Sequence, residues 1–331
     1  MPSSTSARRA GRNSFLALLV LACAWTGAAF AQSGYPSRPL KLILPFPPGG
    51  STDLLGRALA ERLGEQLRQP VVPENRPGAG GNVGAEAAAR AAPDGYTLML
   101  GAPSLAISPG LYPKLNYDPL RDLAPVALVA TIPNLFVIHA SVPATSLGEL
   151  AQYARRNPGK LNFGTGGAGT SNHLASDMFR MLAKAEIVQV PYKGAETAML
   201  ALLSGQVHMV VIGPPAAAPH VKAGKLRALA VLGKERYAGL PEVPTAAESG
   251  MPDYLVDTWY GILVPAGVPR EVLARLNAEL VKMTQSKEMR DRLAGMGIEP
   301  LSSSPEQFGD FLRSEVARWA KVIRESGAKA D

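Results

Sequence analysis

The sequence predicts an α/β fold in two domains, with mostly parallel sheets. Short apolar runs alternate with helical patterns over most of the chain, as in strands joined by crossover helices. The length beyond an N-terminal export signal is about 300 residues, more than one compact core usually takes. Two segments, 40–63 and 160–182, also share one grammar: an apolar strand, a glycine-rich loop, then an amphipathic helix.

Residues 1–31 read as the export signal. Arg8, Arg9 and Arg12 form a basic start, 15–24 is a short apolar core, and Ala29-Phe30-Ala31 is a small-residue cleavage site. The run is too short and wrongly flanked to span a bilayer. The chain is therefore expected in the periplasm, starting at Gln32 and not embedded in a membrane. Arg8-Arg9 lacks the downstream residues of a twin-arginine signal, which favours ordinary secretion. Cys23, the only cysteine, falls inside the signal as apolar filler. A processed chain would carry no disulfide, and its size allows a core large enough to do without one. Processing removes three arginines from 34 basic residues, leaving 31 against 27 acidic ones, a formal +4 rather than +7. That mild bias suits small anions, and no basic run or aromatic stripe marks a nucleic-acid surface.

In order, 40–44 reads as a strand and 54–67 as a helix, followed by an alanine-rich helix at 83–91 and strands at 97–100, 126–130 and 135–139. A helix at 147–157, a strand at 160–163, a helix at 172–183 and a strand at 187–190 come next. Helix 197–204 and strands 209–212 and 226–232 close the alternation. The C-terminal part reads as three amphipathic helices, 270–285, 287–296 and 305–326. Pro269 and Pro305 stand at starts and Gly295 and Gly297 at a stop. Proline-rich stretches punctuate 103–119 and 241–252, and the second reads as a connector back to the first domain. The expected division is a discontinuous domain, 36–128 plus 231–331, with 129–230 inserted.

The two glycine loops carry the candidate chemistry. Each strand ends where the backbone can approach a ligand, and a helix then opens with unpaired N–H groups and the positive end of its dipole. In Gly49-Gly50-Ser51-Thr52-Asp53, Ser51 is a natural N-cap; Gly50, Ser51 and Thr52 offer donors to a carboxylate. Asp53 would either rigidify the loop or accept from a ligand. Capping alone explains so short a motif equally well. Residues 164–169 match G-x-G-x-x-G, with Glu186 near the spacing of a ribose-binding acid. Their mid-chain place, the exported setting and the polar Thr170-Ser171-Asn172-His173 that follows favour a second anion cradle over a dinucleotide site. Ser171 and His173 are two positions apart, so they diverge on a helix, and no G-x-S-x-G elbow surrounds the serine. The four histidines show no metal-ligand spacing. No catalytic residue, metal or cofactor is expected. Pro77-Gly78-Ala79-Gly80-Gly81-Asn82 is a third glycine-rich loop, Lys193 sits at a strand end, and Trp259 and Tyr260 suit an interdomain wall or the core.

These segments, in this order, resemble the Bordetella uptake gene (Bug) receptors, the TctC family of tripartite tricarboxylate transporter substrate-binding proteins. The resemblance runs through 35–39, 45–53, 74–82, 93–98, the 164–174 loop, Val190-Pro191-Tyr192-Lys193-Gly194, 243–245, Trp259-Tyr260-Gly261 and Pro265-Ala266-Gly267. It implies a periplasmic-binding-protein-like fold, two α/β domains closing on a ligand in a central cleft. It further implies a small carboxylate as ligand, a membrane permease or sensor as partner, and a monomer. The candidate ligand-binding set is Phe46, Pro47, Gly49, Gly50, Ser51, Thr52, Asp53, Gly81, Asn82 and Ser104, with Thr165, Gly169, Thr170, Ser171, His173 and Lys193 from the second part. The chain departs from the family pattern after Gly194, and at Ile212-Gly213-Pro214-Pro215, where an acidic residue is common. Loss of carboxylates from that wall would relieve repulsion of a highly anionic ligand or make the site more apolar. The rival reading is a secreted enzyme using the 164–169 loop and His173.

Overall fold

The computed structural model describes residues 34–330; the export signal and Cys23 lie outside them. Pro39 begins the packed body.

The chain enters with β1 (Leu40–Leu44), α1 (Ser51–Leu67), β2 (Val71–Asn75), α2 (Asn82–Ala89), β3 (Thr97–Gly101), α3 (Ser104–Leu111) and β4 (Leu123–Pro133). It continues through β5 (Leu135–His139), α4 (Leu147–Arg156), β6 (Asn162–Thr165), α5 (Ser171–Ala183) and β7 (Val188–Pro191). Then come α6 (Ala195–Leu203), β8 (Met209–Ile212), α7 (Pro214–Lys222) and β9 (Leu226–Val231). It ends with β10 (Asp257–Pro265), α8 (Arg270–Gln285), α9 (Lys287–Gly295), β11 (Glu299–Pro300) and α10 (Pro305–Ser326).

These strands form two sheets, ordered β11-β4-β10-β3-β1-β2 and β7-β6-β8-β5-β9. The expectation of mostly parallel sheets is corrected: both are mixed. β1 runs parallel to β2 and β3, and β6 parallel to β7 and β8. β10 is antiparallel to both β3 and β4, and β5 antiparallel to both β8 and β9. β11 is likewise antiparallel to β4, so β10 and β11 run against the rest of the first sheet and β5 against the rest of the second. β10 and β5 arrive from the other direction because the chain crosses between sheets instead of winding through one.

The crossings meet at Asn134. β4 stays in the first sheet to Pro133, so the sheet changes at residue 134, not at the expected 129. Asn134 O accepts from Leu232 N at 2.7 Å, and Leu232 O accepts from Val256 N at 2.8 Å. The Asn134 amide donates to Val256 O at 2.7 Å and to Thr258 Oγ1 at 3.0 Å. All three inter-sheet segments are thus tied at one residue, through its backbone carbonyl and its side-chain amide.

Burial explains the elements read from sequence. β8 is an apolar run buried throughout, and β1 and β5 are buried on both faces apart from half-buried Lys41 and the terminal His139. α10 opens with a capping box between Ser304 and Gln307, with Pro305 in its first turn. β10 alternates: Trp259 packs against Phe308 and Phe311 and donates to Glu315 at 3.0 Å, while Tyr260 faces the other way.

Candidate functional site

A cavity of about 350 Å³ is lined from both sheets' connecting loops. Five helices begin on it, with Ser51, Ser104, Ser171, Ala195 and Gly213 marking the starts of α1, α3, α5, α6 and α7. The starts are not equivalent. α5 is capped internally, its Thr170 Oγ1 accepting from His173 N at 3.4 Å. α7 opens with Pro214 and Pro215, which have no N–H to give. α1 and α6 begin at Gly50 and Gly194 with no side-chain cap, so their first-turn amides stay available. Ser51 is therefore the first helical residue and Gly50 the N-cap, a shift of one from the sequence expectation.

Ten of the candidate residues line this cavity: Phe46, Pro47, Gly49, Gly50, Ser51, Thr52, Ser104, Thr170, Ser171 and Lys193. Thr52 Oγ1 donates to the Tyr260 hydroxyl at 3.5 Å, closing the floor beneath α1. Burial pushes the Tyr260 phenol up to about 12, so it stays a neutral donor.

The other six candidates lie behind the wall. Asp53 is buried; it accepts from Gly49 N at 3.0 Å and Arg57 Nε at 3.0 Å through Oδ2, and from Asn75 Nδ2 at 3.0 Å through Oδ1. Its acceptors are engaged inside the loop, where they brace it. Gly81 backs the cavity: a Cβ there would sit 3.2 Å from Ser104 Oγ. Asn82 accepts from the Tyr117 hydroxyl at 2.7 Å in the core. Thr165 is buried at the end of β6, its carbonyl accepting from Tyr192 N at 2.8 Å. Gly169 donates its N–H to His173 Nδ1 at 3.4 Å, and His173 Nε2 lies 3.6 Å from Asp177 Oδ2. His173 is buried beneath the loop it braces and does not reach the cavity, which removes the geometric basis of the enzyme reading.

Asn172, Asn134, Thr258 and Glu196 also line the cavity, and none of them was singled out as a ligand contact from sequence. Asn172 accepts through Oδ1 from Gly166 N at 3.1 Å and from Thr170 Oγ1 at 2.5 Å. Asn134 and Thr258 arrive through the crossing, which no local pattern announces. Glu196 supplies a carboxylate to this side of the cavity, and Ile212 and Gly213 an apolar stretch.

The arrangement is a two-sided anion trap with one lysine at its edge. Residues 55–328 match the family described as "Tripartite tricarboxylate transporter family receptor". The chain belongs to this receptor family. The tripartite tricarboxylate transporter receptor fold covers nearly the whole body. The protein is 38% identical over 313 residues to Protein BugT of Bordetella pertussis, covering 94% of this chain and 96% of that one. Among solved structures it resembles Rpa4515 of R. palustris with adipate, at TM-score 0.84 and 36% identity over 90% of this chain and 100% of the other. It also resembles the periplasmic binding protein BugD, at TM-score 0.82 and 32% identity over 90% and 100% of the two chains. The receptor family and its periplasmic-binding-protein-like fold, two α/β lobes about a cleft, match the architecture expected from sequence.

Proposed function

We propose that this receptor captures a small carboxylate in the periplasm by closing its two lobes, and passes it to a membrane permease or reports it to a sensor. The carrying observation is that the uncapped starts of α1 and α6, one from each lobe, open onto the same cavity. Their free amides and dipoles favour an anion most when the lobes are together, so the anion supplies the differential affinity that closes them. The adipate held by the Rpa4515 relative is of the same chemical class. The lobes divide at Asn134 and Leu232, and the candidate residues lining the cavity act as contacts through backbone N–H and hydroxyl groups. On this reading the protein binds its ligand without turnover.

Thermal-shift titration against di- and tricarboxylates, amino acids and aromatic acids tests this reading. Dose-dependent stabilisation by a carboxylate, with the acid recovered unchanged, is expected. Steady product formation, or no response to any acid, sinks it.

A further inference from the structure

Glu196 stands in the first turn of α6 and lines the cavity. It reaches across to the opposite lobe: a Cβ built on Gly50 would lie 2.9 Å from its Oε1 and 3.4 Å from its Oε2. Both oxygens therefore rest against the cap of α1, where the first-turn amides are free. Among the described residues, no hydrogen bond or ion pair takes up either oxygen. Its charge is also felt at Tyr260, where it adds to burial in keeping the phenol protonated. Among the described residues, Lys193 is the only cation in the lining and Glu196 the only anion. The two side chains balance, and the helix starts are left to hold one ligand carboxylate.

We propose that Glu196 is a specificity-determining residue: it favours ligands that bring a hydrogen-bond donor to the start of α1 and disfavours those that bring a second carboxylate there. The inference rests on the carboxylate-receptor reading above. An unpaired carboxylate at a cavity wall gains a partner from an ammonium or hydroxyl. Against a like charge it is repelled instead.

The test measures affinities for three acids of one chain length: adipate, 6-aminohexanoate and hexanoate, by calorimetry on the whole mature protein. The set is repeated with succinate, 4-aminobutyrate and butyrate. Glu196→Gln keeps the shape and removes the charge, and melting curves check that it folds. On passing to this variant, the dicarboxylate should bind on the order of tenfold more tightly, and the amino acid on the order of tenfold more weakly. The monocarboxylate should stay within about twofold, below the tenfold unit of a single charge contact. Equal shifts for all three acids, or no shift, overturn the role of Glu196 while leaving the receptor reading intact. Failure of every carboxylate to bind the unaltered protein overturns both.

Discussion

The backbone N–H of Gly49 donates to Asp53 Oδ2 at 3.0 Å, tying the first glycine loop to the helix it feeds. Asn75 extends the tie, its amide donating to Phe46 O and to Asp53 Oδ1, both at 3.0 Å. The Arg57 hydrogen bond, helped by Gly49 and Asn75, holds the Asp53 carboxyl below its ordinary range despite burial.

Asp53→Asn should therefore loosen the loop and weaken ligand binding, with a stability loss of about 1–3 kcal/mol at neutral pH. The sign in pH follows from a depressed folded-state pKa. The stabilisation is complete above the unfolded value near 3.8 and is lost as pH falls through the folded value. Urea unfolding of both proteins at pH 7 and near pH 3 checks this. The gap between them should narrow in acid, and a gap of equal size at both pH values refutes the charged role.

Ser51→Pro separates the donor from the helix. Ser51 is the first helical residue, where proline is tolerated, and Gly50 at φ −84° and ψ 174° already has the extended backbone that precedes proline. The variant should fold with unchanged melting temperature yet bind a carboxylate roughly tenfold more weakly, the worth of one charge-assisted hydrogen bond. Unchanged affinity in calorimetry would remove the α1 start from the site.

How much of this was legible depended on range. The runs of β1, β5 and β8 announce themselves because both faces are buried, and α8 and α10 because caps and prolines mark their ends. β10 escaped, although it lies between β4 and β3 in the first sheet, because only its far-separated partners define it. α3 and α7 were hidden by Pro103 and Pro214, which punctuate loops and open helices alike. The glycine-loop half of the site was readable as helix starts. Asn134 was not, since its bond to Val256 spans 122 positions. Glu196 gains its meaning from Gly50 on the other lobe, which only the fold brings near.

Gly80 and Ala168 bring a loop from each lobe together. Gly80 has φ +65°, and a Cβ there would lie 2.7 Å from Ala168 O and 3.1 Å from the Tyr112 hydroxyl. The Tyr112 hydroxyl itself donates to Ala168 O at 3.3 Å. Gly80→Ala should hold the lobes apart, lowering ligand affinity roughly tenfold through the smaller closed population. Gly159→Ala is the control, with φ +70° and nothing within 4 Å of its Cβ, so it carries the backbone strain without the clash. Affinity and small-angle scattering of the two variants decide the matter: equal behaviour refutes a role in closure.

Asp257 begins β10 opposite Pro133, one residue from the Asn134 crossing. Its Oδ1 is buried without a hydrogen-bond partner, and a Cβ on Gly233 would lie 3.1 Å from it. Burial pushes its carboxyl up to about 6; Arg318 and Lys234 pull down, while Glu299 and Glu315 push up. A raised acid holds its proton longer in the folded chain than in the unfolded one. Between about pH 4 and pH 6 the unfolded chain deprotonates first, so this group's contribution to stability falls as pH rises. Above pH 6 the penalty is constant, on the order of 2–3 kcal/mol for a shift of about two units. Asp257→Asn should remove it, raising stability at pH 7.5 toward that amount while changing little at pH 4. Denaturant unfolding across this range checks the prediction, and a variant no more stable than the parent at pH 7.5 contradicts it.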